Sequence, residues 1–396
     1  MQSSQSVSIN HPGSDTSFVD PLFVELRATI AQALRPKIQS IDVNGEYPEA
    51  FMRQVGALGG FKQGTPTAFG GTGKGIRSTI QVMEEIGKEC LSTGFIAWCQ
   101  TVCAWYIQNG DSNYLKEQVL PGIITGEILA GTGLSNPMKH FAGIEKIRIT
   151  AQRCADGYIL NGAVPWVSNI GQDHYFAIVA KVVEDETYLM AALPANLPGL
   201  SLGNGGGFIA LEGSSTYSCK FKDVFVPTQY VLAHPCNEYL AKIRPGFILT
   251  QAGFALGLIS SCVELMRRTN EAKGHVNCFL DDQAEDIATD LCSAQQYIYT
   301  LADEIGCGQQ VIRPDIIKDV VQARILASEL SLRASQAAML HAGASGYRLH
   351  SAFERKLRES YFVAIVTPAL KHLKKMLHDL EADKPFDIHY HLEGKE

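Results

Sequence analysis

The apolar residues of this chain change their spacing twice, and those two changes constrain the architecture before any motif is considered. From about Phe18 to Gly126 they recur at helical spacing, as in Phe23, Leu26, Ile30, Ala33 and Leu34, which lays one helix face on a core. Gly56-Ala57-Leu58-Gly59-Gly60 and Pro66 to Gly71 break that run. Ser78 to Gly110 is apolar on nearly all sides, as a helix buried on several faces would be. Between Ile128 and about Ala233 the spacing becomes that of strands. Ile144 to Ala151 alternates, while Tyr175 to Val182 and Thr187 to Leu193 read as buried strands, with turns at Asp156-Gly157 and Gly203 to Gly207. From Ile243 to Leu380 helical spacing returns, with breaks at Lys273-Gly274, Gly306 to Gly308, Pro314 and Gly343 to Gly346. The pattern predicts an α+β chain in three parts. They are an N-terminal α-helical domain (1–126), a middle antiparallel β domain (127–235, a sandwich or open barrel) and a C-terminal four-helix bundle (236–396).

Composition excludes several function classes. Of 396 residues, 46% are hydrophobic and 19% charged, enough apolar surface for a large core and too much for disorder. The net charge is -7 with both signs mixed along the chain, so no basic stripe is present to hold nucleic acid. Ten cysteines without a CxxC pair read as small core hydrophobes in a reducing compartment. Met1 to Asp20 is polar, and no uninterrupted apolar run reaches the roughly 20 residues a membrane span needs. Together these predict a cytoplasmic protein. His389-Tyr390-His391 has no third ligand nearby and reads as a solvated tail. Gly203 to Gly207 lacks a following Lys-Ser/Thr and reads as a β connection. His140 has two readings, a surface histidine or a substrate-side acid/base.

Short motifs fall in a telling order. Pro66 to Gly73 is a glycine-rich loop. Tyr114 with Leu115 to Gly126 leads into the β region. Gly131-Thr132-Gly133-Leu134-Ser135-Asn136-Pro137 is followed by Gly157 to Gly162, then Pro165-Trp166-Val167-Ser168-Asn169. Phe221, Asp223, Val224, Val226 and Pro227 close the region, and Gly343-Ala344-Ser345-Gly346-Tyr347 lies late in the bundle. In this order they resemble the acyl-CoA dehydrogenase superfamily, and the resemblance spans nearly the whole chain.

The resemblance implies a flavin cofactor, FAD, and the residues allow it. A flavin needs an apolar or aromatic wall and donors near N5 and O4. Trp166 fits the wall and Ser168 the hydroxyl at N5, which makes Ser168 a candidate catalytic residue. Ser135, with the backbone of Thr132 and Leu134, fits the pyrimidine edge. Without the resemblance Trp166 reads as a core aromatic. Gly343 and Gly346 resemble the segment that receives the nucleotide half of FAD across a subunit boundary; read alone, they are a helix break. The resemblance further implies a homodimer or homotetramer, with Leu326, Leu330, Met339 and Leu340 on the bundle faces that would meet.

Three departures narrow the reading. The arginine that meets the FAD diphosphate in the family is missing from Arg267 to Gly274, a loss of about 1.5–3 kcal/mol that Lys273 or Arg268 could partly replace. Met138-Lys139-His140-Phe141-Ala142-Gly143 replaces the loop beside the flavin. The family's proton-abstracting glutamate falls on Thr367 in one alignment and Phe247 in the other, and neither side chain can take a proton. Glu359 remains as a relocated base, although it matches a structural acid. Thr367-Pro368-Ala369 followed by Leu373 resembles the branches that act as two-component flavin monooxygenases. These take reduced flavin (FADH2 or FMNH2) from a separate flavin reductase and use O2 on small, often aromatic, molecules. Trp98, Trp105, Tyr106, Phe247 and Phe254 are candidates to line such a cavity. The expected function is therefore a flavin-dependent monooxygenase acting on a small-molecule substrate, with Ser168 and His140 as its catalytic candidates. The alternatives are an acyl-CoA dehydrogenase with a displaced carboxylate and a non-catalytic paralogue subunit.

Overall fold

The structure, a computed structural model, describes residues 20–203, 206–308 and 313–382. The His389–His391 pair and the tail from Asp383 lie outside the described residues. So do two residues of the 203–207 glycine run.

The N-terminal part is helical, ending in the long helices Gly75–Glu89 and Leu91–Asn109 and the short helix Leu120–Thr125. The apolar stretch from Ser78 to Gly110, which patterning gives as one run, is two helices hinged at an extended Cys90. The break is made by packing and by a distant side chain. A Cβ on Gly87 would sit 2.9 Å from Phe254 Cα, and one on Gly94 2.9 Å from Gly87 Cα, so the two helices and Phe254 meet backbone to backbone. The freed amide of Leu91 donates to Glu359 Oε1 at 3.2 Å, which replaces the missing helical acceptor.

Eight strands follow: β1 (Ala130–Thr132), β2 (Ile149–Cys154), β3 (Gly157–Val167), β4 (Tyr175–Val182), β5 (Tyr188–Pro194), β6 (Leu200–Gly203), β7 (Tyr217–Pro227) and β8 (Val231–Ala233). They form one sheet in the order β6-β7-β3-β2-β4-β5-β8, with β1 also on β4. The sheet is not wholly antiparallel as the sequence suggested: β1 and β2 both run parallel to β4. Parallel neighbours need a crossover: β3 lies in the chain between β2 and β4, and the helix Ser135–Phe141 with β2 and β3 lies between β1 and β4. The alternating segment from Ile144 to Arg148 is not strand. The Asn136 side chain takes its backbone instead, donating to Lys146 O and accepting from Arg148 N, both at 3.0 Å.

Among the described residues the C-terminal part has three long helices (Ala252–Asn277, Ala284–Ile305 and Ile316–Ala342) and three shorter ones (Asn237–Leu249, Ala352–Ile365 and Leu370–Glu381). The expected fourth long helix is thus split around Thr367-Pro368, whereas Lys273-Gly274 breaks nothing. A glycine costs a helix interior only about 1 kcal/mol, and the face carrying Ile259, Cys262 and Met266 is fully buried. The Asn237–Asn277 run is apolar enough to span a membrane by composition, but its apolar window is 89% buried, which makes it a core element.

Side-chain alternation along β4 joins two cores. Ala177 and Val179 face the large helical cluster; Phe176, Ile178 and Ala180 face a smaller cluster against Phe221 and Val224. Leu330 lies in the large core rather than on an outer face, while Leu326 and Leu340 are exposed. All ten cysteines are free, and Cys154, Cys278 and Cys292 are exposed rather than core residues.

Candidate functional site

A buried amide hub holds the helical part to the sheet. Gln100 donates to Ile123 O and Ile128 O (both 2.8 Å) and accepts from Ala130 N at 2.7 Å. Asn169, fully buried, donates to Ala130 O at 2.8 Å and accepts from Tyr47 OH at 2.6 Å. Its backbone is left-handed, with φ 56°, which asparagine tolerates better than most residues. The hub fixes β1 against the end of β3, where Thr132 and Ser168 form an isolated bridge. Two residues separated by 36 positions in the chain therefore become neighbours.

Gly131 makes this approach possible. A Cβ there would lie 2.1 Å from Ser168 O and 2.7 Å from Asn169 O. Gly131→Ala should therefore push β1 away from Ser168 and cost about 1–3 kcal/mol. Calorimetry and flavin titration of the variant check this, since both stability and flavin affinity should fall together.

Ser168 Oγ accepts a hydrogen bond from Thr216 Oγ1 at 2.8 Å. A hydroxyl has one proton to give, so that of Ser168 remains available for a bound group. Trp166, two residues earlier on β3, is 48% exposed, which overturns the core-aromatic reading. Lys139 Nζ lies 5.5 Å from its ring centroid. An exposed indole face beside a serine hydroxyl with a proton to donate is a good fit to the flat, N5-bearing ring of a flavin.

The pyrimidine-edge candidates divide. The amide of Thr132 donates to Ser168 O (3.3 Å) and that of Leu134 to Thr132 Oγ1 (3.4 Å), so both turn inward instead of outward. Thr132 Oγ1 also meets Tyr106 OH at 3.0 Å. Ser135 is half-buried, and its hydroxyl lies 2.9 Å from Thr367 Oγ1. Thr367, the position of the expected base, thus joins a hydroxyl pair with a flavin-edge candidate. Phe247, the other base position, is buried against Trp98 and Tyr106 (centroids 5.3 and 6.3 Å). Phe254 joins this cluster through Trp98. Trp105 does not; its indole donates to Ile243 O and it lines a separate cavity of about 20 Å³ with Phe61, Thr65 and Thr79.

His140 is not a surface histidine. It is 8% exposed, with Nδ1 3.2 Å from Glu145 O and Nε2 2.9 Å from Tyr188 OH. Burial lowers its pKa, and with both nitrogens engaged its place is structural, clamping the helix Ser135–Phe141 to β5. Glu359 is equally committed. Its carboxylate pairs with Lys356 Nζ at 3.0 Å and holds Leu91 N, both residues being 1% exposed. Leu91 and Tyr106 stand 15 residues apart on one helix, about 22 Å at 1.5 Å per residue. Glu359 is therefore remote from the Thr132–Tyr106 contact.

The late glycine segment carries a second cluster. Gly343 has φ 61° and open space around its α-carbon, so backbone conformation, not crowding, calls for glycine there. Gly346 differs: a Cβ would strike Ala342 Cβ at 2.6 Å, so it serves helix packing. Lys273 Nζ donates to Ala342 O at 2.9 Å and lies 3.5 Å from Ser345 Oγ. Of the two proposed arginine substitutes, Lys273 reaches this turn, while Arg268 faces Glu264. Leu340, Tyr347 and Leu349, next to this turn in the chain, and Val276 and Phe279, at the end of the lysine's own helix, are exposed apolar side chains.

Comparison with known proteins bears on the fold. Residues 22–127 match the model of the acyl-CoA dehydrogenase N-terminal domain. The chain is 27% identical over 314 residues to mitochondrial isovaleryl-CoA dehydrogenase of Pongo abelii, covering 72% of each chain. It is 25% identical over 353 residues to the probable acyl-CoA dehydrogenase YngJ of Bacillus subtilis, covering 84% of this chain and 89% of the relative. Among solved structures, a glutaryl-coenzyme A dehydrogenase–glutaryl-CoA complex superposes with a TM-score of 0.83 at 21% identity, covering 96% of this chain and all of the other. PigA with FAD and proline superposes at 0.77 and 17% identity, covering 94% and 99%. The fold is that of the acyl-CoA dehydrogenases.

Proposed function

We propose that this chain, an acyl-CoA dehydrogenase superfamily member by fold and sequence likeness, is an FAD-dependent oxidoreductase that dehydrogenates a small molecule. One observation carries the reading: the hub brings Ser168, whose hydroxyl keeps its proton, against Thr132, with the exposed Trp166 two residues before it in the chain. When bound, FAD would supply a hydride acceptor at N5, and the proton lost with that hydride would pass to solvent, since Thr367 and Phe247 offer no carboxylate to take it. Trp166 would wall the ring, Ser168 would hold a proton at N5, and Ser135 with Thr367 would border the reacting edge. Lys273 and the Gly343 turn would meet the diphosphate of a neighbouring copy. The apolar side chains around that turn support a homodimer or homotetramer closed over it. The ten free thiols fit a reducing, cytoplasmic setting.

The relatives named above are CoA dehydrogenases, which favours dehydrogenation. Monooxygenation with reduced flavin from a reductase rests on a different observation, the absence of a carboxylate at Thr367 and Phe247. One experiment separates them. FAD-loaded protein is mixed anaerobically with a panel of acyl-CoA thioesters; loss of the oxidised-flavin absorbance is the result expected. No bleaching, together with an O2-dependent spectral transient of added reduced flavin and a hydroxylated product, would establish monooxygenation instead. Failure to take up any flavin would overturn both readings and leave a non-catalytic subunit.

Trp166→Ala should weaken FAD binding about 10- to 100-fold, the effect of removing roughly 100 Å² of apolar cover from the ring at about 25 cal/mol per Å². Fluorescence titration of the flavin-free protein reads it directly. An unchanged affinity would remove Trp166 from the cofactor.

A further inference from the structure

Arg324 is fully buried, yet its hydrogen bonds go to neutral oxygens. Nε donates to Gln251 Oε1 at 3.2 Å, Nη2 to Val363 O at 2.6 Å, and Nη1 to Ser328 Oγ. Among the described residues no carboxylate pairs with it, and burial alone pulls its pKa down to about 9, which leaves it cationic at neutral pH. An uncompensated buried cation is costly to keep, and such groups concentrate at functional sites.

The bonds lead in one direction. Arginine is donor only, so Gln251 must present its oxygen to Arg324 and its amide nitrogen to the other side. That nitrogen donates to Thr367 O at 2.9 Å. Val363 O is one of the last carbonyls of the helix Ala352–Ile365 and has lost its helical donor. Arg324 and Gln251 therefore pin both sides of the bend that carries Thr367, whose hydroxyl meets Ser135 at 2.9 Å.

We infer that Arg324 and Gln251 are positioning residues that hold the Thr367–Ser135 hydroxyl pair in place and set a positive potential at the flavin edge it borders. The inference rests on the proposed FAD site. Its chemical consequence is a preference for negative charge at that edge, as on reduced FAD or on a substrate that becomes anionic while reacting. Among the described residues no carboxylate offsets the Arg324 charge, and Thr367 adds none. The arrangement thus replaces a proton-accepting carboxylate by neutral hydroxyls backed by a cation.

The test uses the midpoint potential of bound FAD, measured by dye equilibration on the FAD-loaded protein. Thermal unfolding of the flavin-free protein is followed in parallel. Gln251→Glu keeps the side-chain shape, pairs with Arg324 and turns an oxygen toward Thr367 O. It should preserve the fold while lowering the potential by an amount equal to at least tenfold weaker binding of reduced relative to oxidised FAD. Arg324→Met should lower it similarly, and Arg324→Lys should restore it. If Arg324→Met fails to fold, the Gln251→Glu result decides. A parent-like potential in Gln251→Glu, with FAD still bound, overturns the inference. A parent protein that takes up no FAD would instead overturn the functional reading on which it stands.

Discussion

Glu359→Gln should destabilise the protein by about 3 kcal/mol and leave flavin reduction at the parental rate. Removing one member of a buried ion pair costs about 3–5 kcal/mol. Glutamine falls at the lower end because its one oxygen can still accept from Leu91 N, while its amide nitrogen cannot accept from Lys356 Nζ, which bonds the other carboxylate oxygen. The loss is one of folding, because Glu359 joins the Ala352–Ile365 helix to the hinge at Cys90. Denaturant unfolding and stopped-flow reduction on the same sample separate the two effects. A stable variant with abolished reduction by an acyl-CoA would identify Glu359 as the displaced base and reverse its structural assignment.

Ser168→Ala should do the opposite. The exchange of one small side chain for another leaves Thr216 with Ser214 as an alternative partner at 2.8 Å, so the fold should persist. Loss of a well-placed donor in a site shielded from water slows chemistry by about 10- to 1000-fold. We expect flavin reduction to slow by that factor under the dehydrogenase reading, or H2O2 release to rise if O2 is the oxidant. Parental rate and coupling would mean that the Ser168 proton is not at N5, and the ring would have to be placed elsewhere.

The periodicity of the sequence was enough for the helix–sheet–helix order because burial imposes 3.6- and 2-residue repeats on long elements. It missed features set by single distant contacts. Cys90 breaks a helix because Glu359, 269 positions away, caps the next turn. Ile144 to Arg148 alternates like a strand, but Asn136 satisfies its backbone first. At the site, Trp166 and Ser168 stood out through the resemblance, and Ser168 is brought beside Thr132. The inward turn of the Leu134 amide and the two engaged nitrogens of His140 depend on side-chain directions that spacing does not encode. Arg324 was missed for a related reason. An arginine inside an amphipathic helix reads as solvated, and only its place on the buried face of the Ile316–Ala342 helix, with Val320, Val321, Ala327 and Ser328, shows otherwise. A polar Gln251 next to an apolar helix start was the one available hint.

The amide hub at Gln100 and Asn169 has a consequence for how the molecule comes apart. Tyr47, Gln100, Ala130 and Asn169 belong to four stretches of chain that the sequence divides between two domains. Separating those domains would strip partners from several buried amides at once, each costing about 1–3 kcal/mol. Melting of the described region should therefore be a single calorimetric event, and residues 127–235 produced alone should not acquire a fixed tertiary structure. The boundary near residue 127 is a change in pattern rather than a seam, and a chimera spliced there would need the whole hub from one parent.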